Sequence, residues 1–332
     1  MSEDFEFGDI FPEDDALVPE LDGAGDHAKT IAMSLDGYTF DTLVGFDDEI
    51  ARLRELGVLD GVDESYLAFV EQMKAQHGLY DEPSGNTVVF QSAAREDADR
   101  LMIAAANELG HPIMRMKMLE GPMGAQMLCI MASQGLSKGR FDGPGTLILE
   151  GVDTWGSTDP ATAMGMAEGL PLDERSQGAV KAVNLIRDAV ANPEVSVFAS
   201  LSFQPEPHSP LSQLLGPATL FEIPEPNGDE RAAIWDHLMH KHVSMSVNDA
   251  FELVRLSRGM PRCDIFAAAR EAVAQAYHES LDKRTYIPVT RSNLFEKIAA
   301  YQPLDSDEYR TIEDSMVEDF LSEIDRYEHG EM

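Results

Sequence analysis

Along the chain, short apolar runs alternate with segments whose apolar residues recur at three and four positions. Residues 87–90 (TVVF) form the first run and lead into a long helical pattern through Gly110; then come 113–118 (IMRMKM), 145–151 (GTLILEG) and 195–202 (VSVFASLS). Short runs separated by helix-like stretches predict an α/β fold, a parallel sheet flanked by helices on both faces. From Pro226 onward the pattern is helical only, through GDERAAIWDHLMHKH, VNDAFELVRLSRG, DIFAAAREAVAQAYHES and RSNLFEKIAAY. That change predicts a second, small helical domain. Ile312, Met316, Val317, Phe320, Leu321 and Ile324 carry the same spacing into the C-terminal tail, an apolar stripe on an acidic helix that docks on its own domain or on a partner.

Charge changes this picture most. Sixty acids against 25 Lys and Arg leave a net charge of -35, a field that repels nucleic-acid phosphates and anionic lipid, so neither nucleic acid nor membrane is an expected partner. Residues 1–26 hold ten acids and no Lys or Arg, and residues 303–332 hold eleven acids with only Arg310 and Arg326. Residues 1–30 are therefore expected to be disordered, because so little apolar surface cannot offset the entropy of ordering. Phe5, Phe7, Ile10 and Phe11, interleaved with acids, read either as a linear motif for a basic groove or as a solvating tail. Two distant cysteines, Cys129 and Cys263, offer neither a disulfide framework nor a zinc spacing, and no stretch approaches the ~18–20 apolar residues that span a bilayer. A cytoplasmic protein is expected.

Five strings in fixed order carry a family resemblance: TFDTLVGFDDEIARLREL (39–56), VVFQSAAREDADRLMIAAANELG (88–110), PGTLILEGVDTWG (144–156), ATLFEIPEPNGDERAAIWDHLM (218–239) and LSRGMPRCDIFAAAREAVAQA (256–276). Together they resemble the AAA+ ATPase superfamily, and within it the AAA subfamily, with 218–239 resembling the junction into that family's lid. The resemblance implies a P-loop NTPase-like sheet domain at 31–225, with a lead-in at 31–86, then a helical lid at 226–302 and an acidic amphipathic helical tail at 303–332.

Set on that pattern, the chemistry-bearing positions are altered. A P-loop needs glycines to let backbone N–H groups wrap phosphate, a Lys for the β and γ phosphates and a hydroxyl for magnesium. Here the first glycine falls on Ser92, the second on Asp97, the Lys on Ala98 and the hydroxyl on Asp99, with Arg95 the one cation in the loop. Carboxylates at 96, 97 and 99 oppose phosphate, since like charges about 4 Å apart repel by roughly 4 kcal/mol near a protein surface. The Walker B acids fall on Glu150 and Gly151, and glycine can neither accept a proton nor orient water. Asp153 reads as a cap or surface contact, or else as a substitute base.

The polar sensor falls on Ser202, the arginine fingers on Gly216 and Thr219, and the pore loop on Met123 and Gly124. Leu43 and Val44 sit where the resemblance implies backbone contact with adenine, and Arg262, near where some relatives carry a second sensor, reads either as a nucleotide contact or as a surface residue at a helix start. Together these losses lean toward a pseudo-ATPase, a non-catalytic assembly or adaptor module for protein partners such as an active AAA+ paralogue or a second copy. The alternative is a divergent ATPase or nucleotide switch. The residues single out no cofactor, and ATP or ADP with magnesium is what the resemblance admits.

No metal site is assigned. His237, His240 and His242 could share an ion, yet no acid or Cys stands at matching spacing, and the end of a helix suits them electrostatically. Met114, Met116 and Met118 alternate as in a strand. Met123, Met127 and Met131 recur at fours and predict a helix, either core filling or an adaptable interface.

Overall fold

The computed structural model describes residues 38–60, 64–80, 86–120, 126–132, 136, 141, 143–154, 177–202, 210–245 and 250–328. The acidic segment 1–30 and the pore-loop positions Met123 and Gly124 lie outside them. Strands β1 (Thr87–Gln91), β2 (Ile113–Glu120), β3 (Gln126–Ala132), β4 (Gly145–Glu150), β5 (Val195–Leu201) and β6 (Ala218–Glu222) form one sheet in the order β3-β2-β4-β5-β1-β6. All neighbours pair in parallel except β2 with β3, which run antiparallel. The chain is thus an α/β protein with a mostly parallel, helix-flanked sheet.

Strand side chains sort to the two faces with a period of two, as the pleat requires. Val88, Phe90, Ile148, Phe198 and Phe221 face one way, onto α1 (Asp47–Glu55) and α3 (Arg95–Glu108); between them lies α2 (Glu64–His77). Val89, Leu147, Leu149, Val197 and Ala199 face the other, onto α4 (Gln177–Ala191) and α5 (Pro210–Leu215). Phe90 anchors the first face, with ring centroids 5.4 Å from Phe198 and 5.7 Å from Phe221. Every residue of β4 is buried, which explains why GTLIL reads as an unbroken apolar run rather than an alternating one.

A third core gathers five further helices: α6 (Gly228–Lys241), α7 (Ala250–Leu256), α8 (Arg262–Lys283), α9 (Arg291–Tyr301) and α10 (Asp307–Glu328). Ile234, Trp235, Leu253, Leu256, Ile265, Leu294, Phe295 and Ile298 are its centre, and Ile312 of α10 joins it. Among the described residues, no helix is long and apolar enough to cross a membrane.

Two expectations are corrected. Met127 and Met131 stand on β3, paired with Leu119 and Arg115, not on a helix. A spacing of four is compatible with both periods, since it is two full strand repeats and nearly one helical turn. Residues 218–222, expected only as a junction, form the edge strand β6 against β1. Met114 and Met116 are fully buried, so the strand methionines fill the core. The C-terminal stripe divides: Ile312 is buried, whereas Met316, Val317, Phe320 and Leu321 are exposed; the side chain of Ile324 lies outside the described set.

The lead-in segment reaches the third core through one tight turn. Gly45 has φ +78°, and a Cβ there would lie 2.6 Å from Cδ1 of Ile234. Gly45→Ala combines a left-handed backbone penalty with overpacking, and should lower unfolding stability by about 2–4 kcal/mol in urea titration.

Candidate functional site

The C-terminal ends of parallel strands are where open α/β sheets place ligands. Here β1 ends at Gln91 and α3 starts at Arg95, so only residues 92–94 connect them. The backbone N–H of Ser92 continues the ladder to the carbonyl of Leu201 at 3.1 Å, and the N–H of Ala94 donates to the Ser92 hydroxyl at 3.3 Å. The residues matched to a phosphate-wrapping loop are therefore mostly helix. Ala98, at the position of the phosphate-binding Lys, is wholly buried in the core under α3.

Asp97, at the position of the second glycine, has turned to another task. Its carboxylate accepts the backbone N–H groups of Arg262 at 2.9 Å and Cys263 at 2.8 Å, the exposed donors at the start of α8. Pro261, the residue before that helix, supplies no side-chain cap. An acid from α3 thus caps α8 across the fold and suits the positive end of its dipole. Burial pushes the Asp97 carboxyl above its usual range, opposed by these same N–H donors and by Arg262.

Arg262 starts α8 but is fully buried, which corrects its reading as a surface residue at a helix start. Its Nε donates to the Gly45 carbonyl, one Nη to the Pro224 carbonyl at 2.7 Å, and the other Nη to Glu49 and Glu230, both at 2.9 Å. The guanidinium also stacks 4.4 Å from the Phe46 ring centroid. One side chain therefore fastens the lead-in turn, α1, the segment after β6 and α6. Leu43 packs on the sheet core and Val44 on the helical core, so the proposed adenine-side residues flank this filled junction.

Two buried carboxylates share one guanidinium, leaving an excess negative charge. Burial, resisted by Arg262 and reinforced by Glu230, pushes the Glu49 carboxyl up to about 7. Glu230 carries a second duty: its Oε2 accepts the Asn227 N–H at 2.9 Å while Asn227 caps the start of α6, a reciprocal capping box.

At the end of β4, Glu150 is paired with Arg115 and, at 3.1 Å, with Lys117, both on the adjacent β2. The carboxylate that the resemblance assigns to magnesium is thus already neutralised by two cations. Gly151 has φ +54°, a left-handed conformation that costs a Glu roughly 1–2 kcal/mol, so the backbone disfavours a water-orienting acid at this position. Its N–H donates to the Ser200 hydroxyl at 2.8 Å, which in turn donates to Asp99. Burial raises the Asp99 carboxyl, opposed by the Ser200 bond and by Lys117, Arg95 and Arg115.

Arg95 donates to the Ser202 hydroxyl at 2.8 Å and pairs with Asp153 at 3.3 Å, while Asp153 accepts the Ser202 N–H at 3.0 Å. The loop cation, the sensor position and the second acid close a triangle that ties the ends of β1, β4 and β5 together. Asp153 therefore acts as a structural contact.

The other candidates lie elsewhere. Gly216 follows α5 in a left-handed turn and Thr219 is exposed on edge strand β6. His240 turns back to the Asp236 carbonyl at 2.8 Å, and burial together with Lys241 and His237 lowers the His242 pKa. Among the described residues, no group of three or more ligand-type side chains is placed to hold a metal. Burial, with Asp97 and Asp264 nearby, drives the Cys263 thiol far up, away from the thiolate form that reacts.

Sequence reasoning missed Glu49, Glu230, Arg115 and Lys117 as partners. Only the Asn227–Glu230 spacing was a readable signal, as a capping box. Compared with family models and with curated proteins, the chain matches none.

Two outcomes test this junction. Arg262→Ala strands two buried acids and should cost about 3–5 kcal/mol, partly recovered by adding Glu49→Gln, in a denaturant-based mutant cycle. Because Glu49 ionises at about 7 folded against 4.5 unfolded, its contribution is full below pH 4.5 and is lost as pH rises through 7. Glu49→Gln should flatten that part of the fall in melting temperature between pH 4.5 and 7.

Proposed function

We propose that this chain is a degenerate AAA+-like protein, a pseudo-ATPase whose P-loop NTPase-like sheet layer and helical lid serve as a non-catalytic assembly or adaptor module in the cytoplasm. Its partners are proteins, an active AAA+ paralogue or a second copy among them. The observation that carries the reading is the filled junction: Asp97 and Arg262, two positions the resemblance matches to nucleotide contacts, are taken up by protein bonds, Asp97 capping α8 and the Arg262 guanidinium held by Glu49 and Glu230. Phosphoryl transfer depends on positioned cations and an ordered water, whereas a binding surface survives their loss.

The alternative, a divergent nucleotide switch, draws support from Arg95 and Lys117, whose side chains keep 37% and 40% of their exposure at the strand ends. Their ion pairs with Asp153 and Glu150 would have to be exchanged for phosphate.

Thermal unfolding with millimolar Mg-ATP or Mg-ADP against matched salt separates the two. A ligand at about 100 times its dissociation constant adds roughly 2.7 kcal/mol, a rise of a few degrees. A flat midpoint is expected, and a nucleotide-specific rise would overturn the reading. Restoring the loop by Asp97→Gly, Ala98→Lys and Asp99→Thr should lower stability without creating ATP binding, because it removes the α8 cap and puts a cation in the core.

A further inference from the structure

Helix α10 is held to the body through its first half. Ile312 is buried in the helical core, and Arg291 of α9, paired with Glu252 of α7 at 2.8 Å, donates to Ser315 at 3.3 Å. Past that point the described residues leave the apolar face uncovered. Met316, Val317, Phe320 and Leu321 are 38%, 51%, 62% and 58% exposed on successive turns. Between this face and α9 runs an apolar groove of about 280 Å³, lined by Ala299 together with Tyr309, Met316, Val317 and Phe320. Glu313 lies in its wall, and Asp314 and Glu318 are exposed on the same helix.

Charge selects the occupant. The helix carries nine acids against two arginines, within a chain of net charge -35. A second copy would bring an equally acidic helix to the same face, and the chain's own first 26 residues hold ten acids and no base. Anionic lipid is repelled in the same way. A positively charged helix with its own apolar stripe meets both demands, covering the apolar turns and neutralising the acids beside them.

We propose that the groove of α9 and α10 binds a basic amphipathic helix of a partner protein. The inference rests on the chain being a protein-binding module and gives that partner its chemistry. Phe320 and Val317 supply the apolar contact, Met316 adapts its unbranched side chain to the visitor, and Glu313, Asp314 and Glu318 set the sign of the charge.

The test uses the full chain and a fluorescently labelled synthetic peptide of about 18 residues, a Leu/Lys helix with Leu at i, i+3, i+4 and i+7. Anisotropy should report micromolar binding at about 0.1 M salt, with none for the Leu/Glu counterpart. Phe320→Ser and Val317→Asp, both at exposed positions, should each weaken binding at least tenfold, while Phe69→Ser on the distant helix α2 leaves it unchanged.

Four outcomes overturn the proposal: no binding of the Lys peptide, equal binding of the Glu peptide, equal affinity for wild type and Phe320→Ser, or a dimer that Phe320→Ser dissolves. Nucleotide-dependent melting is read separately, so failure of the groove and failure of the pseudo-ATPase reading are told apart.

Discussion

The structure depends on one buried guanidinium. Arg262 has no exposure to water, and a charge so placed is tolerated only when its donors are satisfied and its charge is balanced. The partners that satisfy it come from the lead-in turn, α1, the segment after β6 and α6, which are remote in sequence. Removing any of them leaves an uncompensated polar group in the interior. The sheet and the helical core are therefore joined by a contact with strict directional requirements rather than by apolar area alone. Asp97 adds a second fastening by capping the helix that Arg262 begins.

The strand ends are fastened in the same way. Positions that a phosphate-binding protein keeps open for a ligand are here occupied by protein-to-protein bonds. Glu150 is neutralised by Arg115 and Lys117, Arg95 is engaged by Asp153 and Ser202, and Asp99 takes the Ser200 hydroxyl. Cations and acids are balanced within a few ångströms, so the strand ends present no large positive field to an anion. Catalysis by electrostatic stabilisation needs unspent charge aimed at the reacting group, and these charges are spent on each other.

The junction is a structural element, and the apolar surface that the described residues leave open lies elsewhere. The exposed half of α10 combines flexible and aromatic apolar side chains with acids, while its first turns are fixed by Ile312 and the contact to Arg291. A surface with one end anchored and one face uncovered suits recognition better than core packing does.

The sequence by itself determined the layers. The run 145–150 and the alternation in 195–201 place strands because a buried pleated sheet admits few other patterns, and the helical periodicity after 226 is equally direct. By residue identity alone it also shows that, where the resemblance sets phosphate and water-orienting groups, Ala98 lacks a cation and Gly151 lacks a carboxylate. It did not separate strand from helix at Met127 and Met131, where a spacing of four satisfies both periods.

What those residues do instead was decided only in three dimensions. Asp97 read as a repulsive loop acid and is a helix cap; Arg262 read as a helix-start or sensor residue and is the buried hub. Asp97 meets Arg262 across 165 residues and Arg262 meets Glu49 across 213, and even Glu230 is 32 residues away, so local pattern carries no information about these pairings. Hydrogen bonds and ion pairs are set by where the backbone brings groups together, which tertiary packing settles after the periodicity has been fixed.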